Sequence, residues 1–84
     1  GGSIILYRTA TCPYCIKANE LLIEEGVNFE EKDVGKDPNA SAEMAEKLKK
    51  AGINTNGVPV IDFKGTIIVG YNEAQLRELC KGEK

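Results

Sequence analysis

The apolar residues of the chain form four short runs that are typical of strands. The first, Ile4-Ile5-Leu6-Tyr7, is apolar throughout, which indicates a strand covered on both faces at the centre of a sheet. Residues 27–34 alternate only in part and predict a second strand, parallel to the first. Val58–Phe63 and Thr66–Val69 flank the turn Lys64-Gly65 and predict a hairpin, with a proline near the start of its first strand.

Three stretches between these runs have helical spacing and capping residues. The first helix is predicted from Pro13 to about Glu25, ahead of Gly26. The second is opened by Asp37-Pro38 and ends near Gly52, and the third follows an N-cap pair formed by Asn72 and Gln75. The predicted apolar faces are Ile16, Leu21, Leu22 and Ile23 in the first helix, Met44, Ala45 and Leu48 in the second, and Leu76, Leu79 and Cys80 in the third.

The order of these elements is β-α-β followed by α-β-β-α, with no internal repeat. Such an order predicts an α/β protein with the thioredoxin-like fold, a four-stranded mixed sheet flanked by three helices. The length of 84 residues predicts a single domain over residues 1–84. Gly1-Gly2-Ser3, with no initial Met, is interpreted as a cloning remnant.

Composition narrows the chemistry that such a domain can perform. The 13 acidic and 11 basic side chains give a net charge of −2, which disfavours nucleic acid or an anionic membrane as the main partner. No apolar run approaches the roughly 20 residues that span a bilayer, so we expect a soluble protein. We also expect it to act as a monomer. The chain has no His, which excludes imidazole acid–base chemistry. Three cysteines are too few for a secreted disulfide scaffold and favour the reducing cytoplasm.

Two cysteines form a CxxC motif where a strand passes into a helix. Cys12 stands at the predicted helix start and Cys15 one turn inside, so the first thiol should face solvent and the second should be shielded. The unpaired backbone N–H groups and the dipole of a helix N-terminus favour a thiolate at Cys12. Pro13 has no N–H, so Tyr14 and Cys15 are the expected donors.

This placement predicts thiol–disulfide exchange. The Cys12 thiolate attacks a substrate disulfide, and Cys15 resolves the mixed disulfide. A purely stapling disulfide is disfavoured, because closing a loop of about four residues contributes only about 2 kcal/mol. Half of a zinc site is disfavoured as well, since structural zinc takes four nitrogen or sulfur ligands and the chain has no His and no second CxxC.

The second candidate element of the site is Val58-Pro59. A proline opening a strand across from a CxxC helix suggests a cis bond that leaves the N–H and C=O of Val58 free to pair with an extended substrate. Most X–Pro bonds are trans, so an ordinary trans proline at a strand edge remains an alternative.

With the CxxC motif and the Val58-Pro59 segment taken together, residues 4–81 resemble the glutaredoxin family. Cys12-Pro13-Tyr14-Cys15 has the form typical of dithiol members, and Gly57-Val58-Pro59 falls where the family has its Thr-Val-Pro segment. The resemblance implies a nucleophilic Cys12, a resolving Cys15, a cis Pro59, no bound cofactor, and glutathione or a protein disulfide as substrate. The residues expected to contact substrate are Thr11, Pro13, Tyr14, Gly57, Val58, Pro59, Gly70, Tyr71 and Asn72.

Three departures fall on positions that the family uses to hold glutathione. Thr9 stands where a basic residue is usual, Asn54-Thr55-Asn56 replaces basic or glutamine side chains, and Gly57 replaces the threonine. The double-glycine and acidic segment is reduced to Gly70-Tyr71-Asn72-Glu73. The carboxylates of glutathione therefore lose charged partners, each worth roughly 1.5 to 3 kcal/mol.

These departures keep alternative functions open. The C-terminal segment is more similar to NrdH-redoxins, which draw electrons from a thioredoxin reductase and supply ribonucleotide reductase. An alternative of another class is an iron–sulfur carrier, in which Cys12 of two chains and two glutathione thiols hold one cluster.

Several further residues have two possible roles each. Tyr14 either contacts substrate or covers the helix start, and Tyr71 belongs either to the groove wall or to the core. Cys80 is expected in the core, with a regulatory or glutathionylated thiol as the alternative. Lys47, Lys49 and Lys50 are expected on a solvated helix face, with attraction for an anionic partner as the alternative.

Overall fold

A computed structural model describes residues 3–55 and 57–83 of the chain. Gly1, Gly2, Asn56 and Lys84 lie outside the described residues. The interpretation of the N-terminal glycines, and the part expected of Asn56, therefore stay predictions, as does the single domain over residues 1–84.

The described residues form seven elements in the predicted order. The strands are β1 (Ile4–Arg8), β2 (Glu30–Asp33), β3 (Val60–Phe63) and β4 (Thr66–Val69), and the helices are α1 (Pro13–Glu24), α2 (Pro38–Ala51) and α3 (Glu73–Lys81). The strand order in the sheet is β2-β1-β3-β4. β1 runs parallel to β2 and antiparallel to β3, and β3 pairs antiparallel with β4. The thioredoxin-like fold with a mixed four-stranded sheet, and β1 as an inner strand, are thus confirmed.

Alternate residues of the inner strands divide the interior into two cores, one on each face of the sheet. Leu6 and Ile61 point to the first core, where they meet Leu22 of α1 and Leu76 of α3. Neighbouring residues of the same strands, among them Tyr7 and Val60, point to the second core under Leu48 of α2. α1 and α3 therefore cover one face, and α2 covers the other.

Two strands begin later than the sequence pattern predicts. β2 starts at Glu30 rather than residue 27, because its pairing with β1 begins at the Ile5–Glu30 pair. Val27 and Phe29, whose alternation suggested the longer strand, pack their side chains against the first core ahead of the strand. β3 starts at Val60 rather than Val58, since Pro59 has no N–H to donate to a strand partner.

Two predicted helix faces need correction. α1 buries Cys15, Ala18, Leu21 and Leu22, whereas Ile16 and Ile23 are 43% and 62% exposed. Cys15 and Ala18 lie on the buried face of the helix together with the two leucines, which leaves both isoleucines on its exposed side. Ala45 of α2 is likewise exposed, and Ala40 joins Leu48 as a buried residue of that helix. The face predicted for α3 is confirmed, with Leu76 and Cys80 buried and Leu79 packed against the core.

The predicted capping residues occupy their expected places. The side chain of Asp37 accepts the N–H groups of Asn39 and Ala40, and that of Asn72 accepts the N–H of Gln75. Gly52 ends α2 at φ 72°, a left-handed conformation that glycine adopts without strain.

A polar network under α2 ties that helix to three strands. The hydroxyl of the buried Tyr7 donates a hydrogen bond to Glu43, which also accepts from Lys32 Nζ at 2.9 Å. Lys47 Nζ lies 2.6 Å from Asp62 Oδ2 and 5.1 Å from the centroid of the Tyr7 ring. The expectation that Lys47 belongs to a solvated face is therefore wrong, because Asp62 and Tyr7 draw it against the sheet. Lys49 and Lys50 are exposed, as expected.

The ionised state of Glu43 should contribute to stability. Its bonds from Tyr7 and Lys32 hold the pKa of Glu43 below its ordinary value of 4.5, so the contribution is full above that pH and is lost as pH falls through the lowered pKa. Glu43→Gln keeps an acceptor for Tyr7 but loses the charge. Because the carboxylate is partly solvated, we expect a loss of about 0.5–1 kcal/mol in the free energy of unfolding at pH 7. Urea denaturation at pH 7 and pH 3 measures it, and a difference that stays constant at acid pH would contradict this assignment.

Candidate active site

Cys12 is the N-cap residue of α1. Its backbone is extended at φ −85° and ψ 113°, and its carbonyl accepts the first helical bond, from the N–H of Ile16 at 3.1 Å. The sulfur accepts the backbone N–H of Cys15 at 3.2 Å. Of the two N–H donors expected from the sequence, Tyr14 and Cys15, it is Cys15 that donates to the Cys12 sulfur. Pro13 occupies the first helical position, as predicted.

Cys15 presents a contrasting environment. Its side chain is fully buried on the sheet side of α1, whereas Cys12 is partly exposed. Burial, followed by the hydrogen bond with Cys12, raises the pKa of the Cys15 thiol to about 11, against opposing contributions from the Thr9 backbone and the Arg8 charge. The two thiols therefore lie within one helical turn, with only the first open to solvent.

The Val58-Pro59 peptide bond is cis and lies beside the CxxC motif. The Cys12 thiol is 3.7 Å from the carbonyl oxygen of Val58 and donates to it. The expectation of a free Val58 carbonyl is wrong in this respect, because the thiol occupies it. The Pro59 carbonyl accepts the N–H of Gly70 at 2.8 Å, which joins a third segment to the site.

That third segment brings Tyr71 against Tyr14. The two rings lie nearly parallel with centroids 6.4 Å apart, and Lys17 Nζ is 5.7 Å from the centroid of the Tyr14 ring. Tyr14 is 59% exposed, while Tyr71 is half-buried and packs against the first core. Tyr71 therefore lies at the edge of the core and stacks on Tyr14, while its part in a substrate groove stays a prediction.

The other expected contact residues lie around this centre at varying distance. Thr11 and Pro13 are exposed at the start of α1, and Gly57 is exposed with its N–H bonded to Thr55 Oγ1 at 3.3 Å. Asn72 uses its side-chain oxygen to cap α3. Direct contacts or shared segments thus join seven of the site residues, namely Cys12, Tyr14, Cys15, Val58, Pro59, Gly70 and Tyr71. The substrate contacts expected of Thr11, Pro13, Gly57 and Asn72 stay predictions.

Two arginines near the site, Arg8 and Arg77, are paired with carboxylates, whereas Lys17 lies over the Tyr14 ring. Arg8 lies 2.7 Å from Glu31, and Arg77 lies within 3.3 Å of Glu24, Glu25 and Glu73. Thr9, which stands where a basic residue was expected, packs its methyl group towards Gly35. The charges of both arginines are therefore already balanced within the chain.

Cys80 lies apart from the site. It is fully buried in the first core beside Leu76, which agrees with the packing role expected for it. Residues 3–55 and 57–83 contain no group of three His, Cys, Asp or Glu side chains placed to hold a metal ion. Within the same residues, no helix combines the length and the apolar character needed to cross a membrane.

A thioredoxin-like sheet with a CxxC motif at the start of α1 and a cis proline beside it defines a class of thiol–disulfide redox proteins. Comparison with known proteins specifies the family. The glutaredoxin family model matches residues 4–68, and the chain belongs to the glutaredoxin family. This membership supports a thiol–disulfide oxidoreductase, in a family that generally acts on protein disulfides and glutathione.

Relatives of similar length and fold agree with this assignment. A glutaredoxin-like 8.6 kDa protein encoded in a rubredoxin operon of Clostridium pasteurianum is 38% identical over 93% of this chain and 97% of its own. The glutaredoxin of Archaeoglobus fulgidus superimposes with a TM-score of 0.78 at 30% identity, covering 96% of this chain and 88% of its own. A mutant of the thioredoxin-like protein BC3987 gives a TM-score of 0.81 at 26% identity, covering 96% and 97%.

Sequence reasoning missed several contacts of the site. The aromatic pair joins residues 57 positions apart, 71 − 14, and no helical or strand period connects them. The influence of Thr9 on Cys15 comes from its backbone, which side-chain identity does not report. The binding of Arg77 to two helices was also missed, although its spacing of four from Glu73 is a signal for one of those pairs.

The unequal exposure of the three cysteines predicts selective alkylation. Iodoacetamide at pH 7 should modify the partly exposed Cys12 at least about tenfold faster than Cys15, because Cys15 is buried and its raised pKa of about 11 keeps it protonated. Cys80, buried in the core, should also be protected. Peptide mass mapping over a time course measures the three rates, and in denaturant all three should react. Modification of Cys15 ahead of Cys12 would contradict the geometry.

Proposed function

We propose that the chain is a dithiol–disulfide oxidoreductase in which Cys12 is the nucleophile and Cys15 resolves the intermediate. The observation that carries the proposal is the position of the Cys12 sulfur, 3.2 Å from the N–H of Cys15 and 3.7 Å from the Val58 carbonyl. The N–H stabilises negative charge on that sulfur, and the helix N-terminus acts in the same sense.

The reaction proceeds in two exchange steps. In the first, the Cys12 thiolate attacks one sulfur of the substrate disulfide, the substrate S–S bond breaks, and the second sulfur leaves as a thiolate that takes a proton from solvent. In the second, Cys15 loses its proton and attacks Cys12, which releases the substrate thiol and leaves a Cys12–Cys15 disulfide. The substrate has then gained two electrons, and an external dithiol or thiol must return them to the protein.

The burial of Cys15 separates the two roles. Desolvation and the bond with Cys12 raise the pKa of Cys15, so its thiol stays protonated while the free enzyme meets its substrate. When Cys12 is joined to substrate, the sulfur that Cys15 must attack lies one helical turn away. The Val58 backbone, close to the reacting sulfur, is suited to pair with an extended substrate segment once the Cys12 thiol leaves its carbonyl.

The charge distribution favours a reductant other than glutathione. Glutathione presents two carboxylates, whereas Arg8 and Arg77 are already paired with glutamates and Lys17 lies over the Tyr14 ring. We therefore propose that a thioredoxin reductase recycles the protein more efficiently than glutathione, as for an NrdH-like electron donor to ribonucleotide reductase. Glutathione remains a possible co-substrate. The proposal requires no bound cofactor and places the protein in the cytoplasm as a monomer.

Cysteine substitutions test the division of roles. Cys12→Ser should lower disulfide reduction to the uncatalysed rate, because no other exposed thiol stands at the helix start. Cys15→Ser should accumulate a mixed disulfide between Cys12 and the substrate, which mass spectrometry detects under non-reducing conditions. Cys80→Ala is the matched control, since it removes a thiol of the core and should keep the activity. Activity that survives Cys12→Ser would exclude the proposal.

A paired assay tests which reductant recycles the protein faster. The oxidised protein is offered glutathione with glutathione reductase, or a thioredoxin reductase, and NADPH consumption is followed in each. We expect the thioredoxin reductase system to be faster by about tenfold, the equivalent of one lost hydrogen bond to a charged group. Faster turnover by the glutathione system would reverse this part of the proposal without affecting the dithiol mechanism.

A further inference from the structure

Arg8, the last residue of β1, lies on the sheet face that α1 covers. Alternate residues of a strand face opposite sides of the sheet, so Arg8 shares the face of Leu6, which packs in the first core. α1 covers that core, and Cys15 is among its fully buried residues. Only 18% of the Arg8 side chain is exposed. A largely covered guanidinium and the second thiol of the motif therefore lie on the same side of the sheet.

Two polar contacts hold the guanidinium of Arg8 in place. Its Nη1 lies 2.7 Å from Glu31 Oε1, and its Nε donates to the carbonyl oxygen of Thr9 at 3.4 Å. The backbone of Thr9 in turn forms a hydrogen bond with the Cys15 thiol. Glu31 is 42% exposed, so solvent screens its charge more than that of Arg8. Arg8 can therefore act on Cys15 through its own charge and through the segment that it holds.

The groups that act on Cys15 change when Cys12 is joined to substrate. In the free protein, burial and the hydrogen bond with Cys12 raise the pKa of Cys15, and charge on Cys12 acts in the same sense. A Cys12 sulfur in a mixed disulfide carries neither a proton nor a charge, so both contributions from Cys12 end. Burial remains, and it is opposed by the Thr9 backbone and the Arg8 charge. These two groups therefore matter most in the intermediate that Cys15 must resolve.

We propose that Arg8 is a positioning residue for the resolving step, which it promotes by favouring the thiolate of Cys15 once Cys12 is bonded to substrate. The proposal rests on the dithiol mechanism proposed above and extends it to the group that sets the rate of the second exchange. In that exchange Cys15 gives its proton to solvent and forms the bond to Cys12. The bond between Cys12 and the substrate breaks, and the substrate sulfur leaves as a thiolate that takes up a proton.

An uncharged aromatic disulfide, dithiodipyridine, separates the two exchanges in a stopped-flow absorbance experiment. With the reduced protein in excess, attack by Cys12 releases one absorbing thiopyridone, and resolution by Cys15 releases the second. Arg8→Met removes the charge and should slow the second release about tenfold at pH 7, while the first release stays within about threefold. The pH midpoint of the second release should rise by about one unit, because below the midpoint a tenfold smaller fraction of Cys15 is ionised at each pH.

Three further variants keep the test specific. Arg8→Lys keeps the charge, and its second release should stay within about threefold of the wild-type rate. Arg8→Gln keeps N–H donors without the charge and should show the same loss and pH shift as Arg8→Met, which it replaces if that variant does not fold. Lys49→Met removes a positive charge from an exposed position of α2, on the other face of the sheet, and should leave both releases unchanged.

The outcomes distinguish the role of Arg8 from the dithiol mechanism itself. A selective loss of the second release in Arg8→Met and Arg8→Gln, with the shifted pH profile and near-normal rates in Arg8→Lys, supports the positioning role. An unchanged second release in both uncharged variants, or an equal loss of both releases at every pH, would overturn that role and leave the mechanism intact. If the wild-type protein releases only one thiopyridone per disulfide, Cys15 does not resolve the intermediate, and the mechanism fails together with the role of Arg8.

Discussion

The hydrogen bond from the Cys15 backbone to the Cys12 sulfur is the contact on which the arrangement of the site depends. It exists because Cys12 caps α1 instead of entering it, so that its side chain turns back over the first turn of the helix. Pro13 favours this helix start, since the N–H that it lacks would have no helical partner there. The burial of Cys15 and Ala18 then fixes the rotation of the helix on the sheet, and with it the direction in which the capping sulfur faces.

Contacts on the opposite face of the sheet, under α2, help to hold Cys12 in its position. β1 ends in the turn that leads to Cys12, and its Tyr7 is held by Glu43 and Lys47 of α2. Lys47 also binds Asp62 on β3, the strand that follows Pro59. The two chain segments that meet at the thiol are therefore connected beneath it through α2. This explains why a helix that takes no part in the site carries the densest polar network described in the structure.

The sequence was sufficient to predict those features of the structure that follow from local chemistry. The order of elements, the caps at Asp37 and Asn72 and the shielding of Cys15 follow from spacing and residue type, and the structure agrees with them. The sequence was insufficient to predict features that depend on contacts between residues distant along the chain. The periodicity of α1 placed Ile16 and Ile23 inward, because hydrophobicity alone does not report that Cys15 and Ala18 complete the buried face beside Leu21 and Leu22. Similarly, the sequence predicts a solvated Lys47, because nothing in it indicates that the fold places Asp62 beside this lysine.

The same long-range pairing determines what the surface around the thiol can recognise. Arg8 lies against Glu31, and Lys17 lies over the Tyr14 ring, so both of these cations near the motif in sequence have partners within the chain. A substrate that depends on positive charge would have to compete with those partners, each already in place at no further cost in side-chain entropy. The aromatic pair of Tyr14 and Tyr71, by contrast, does not have to be released from an ion pair before it contacts an apolar surface. This contrast supports the proposal that the chain recognises its substrate by apolar contact and backbone pairing rather than by charge.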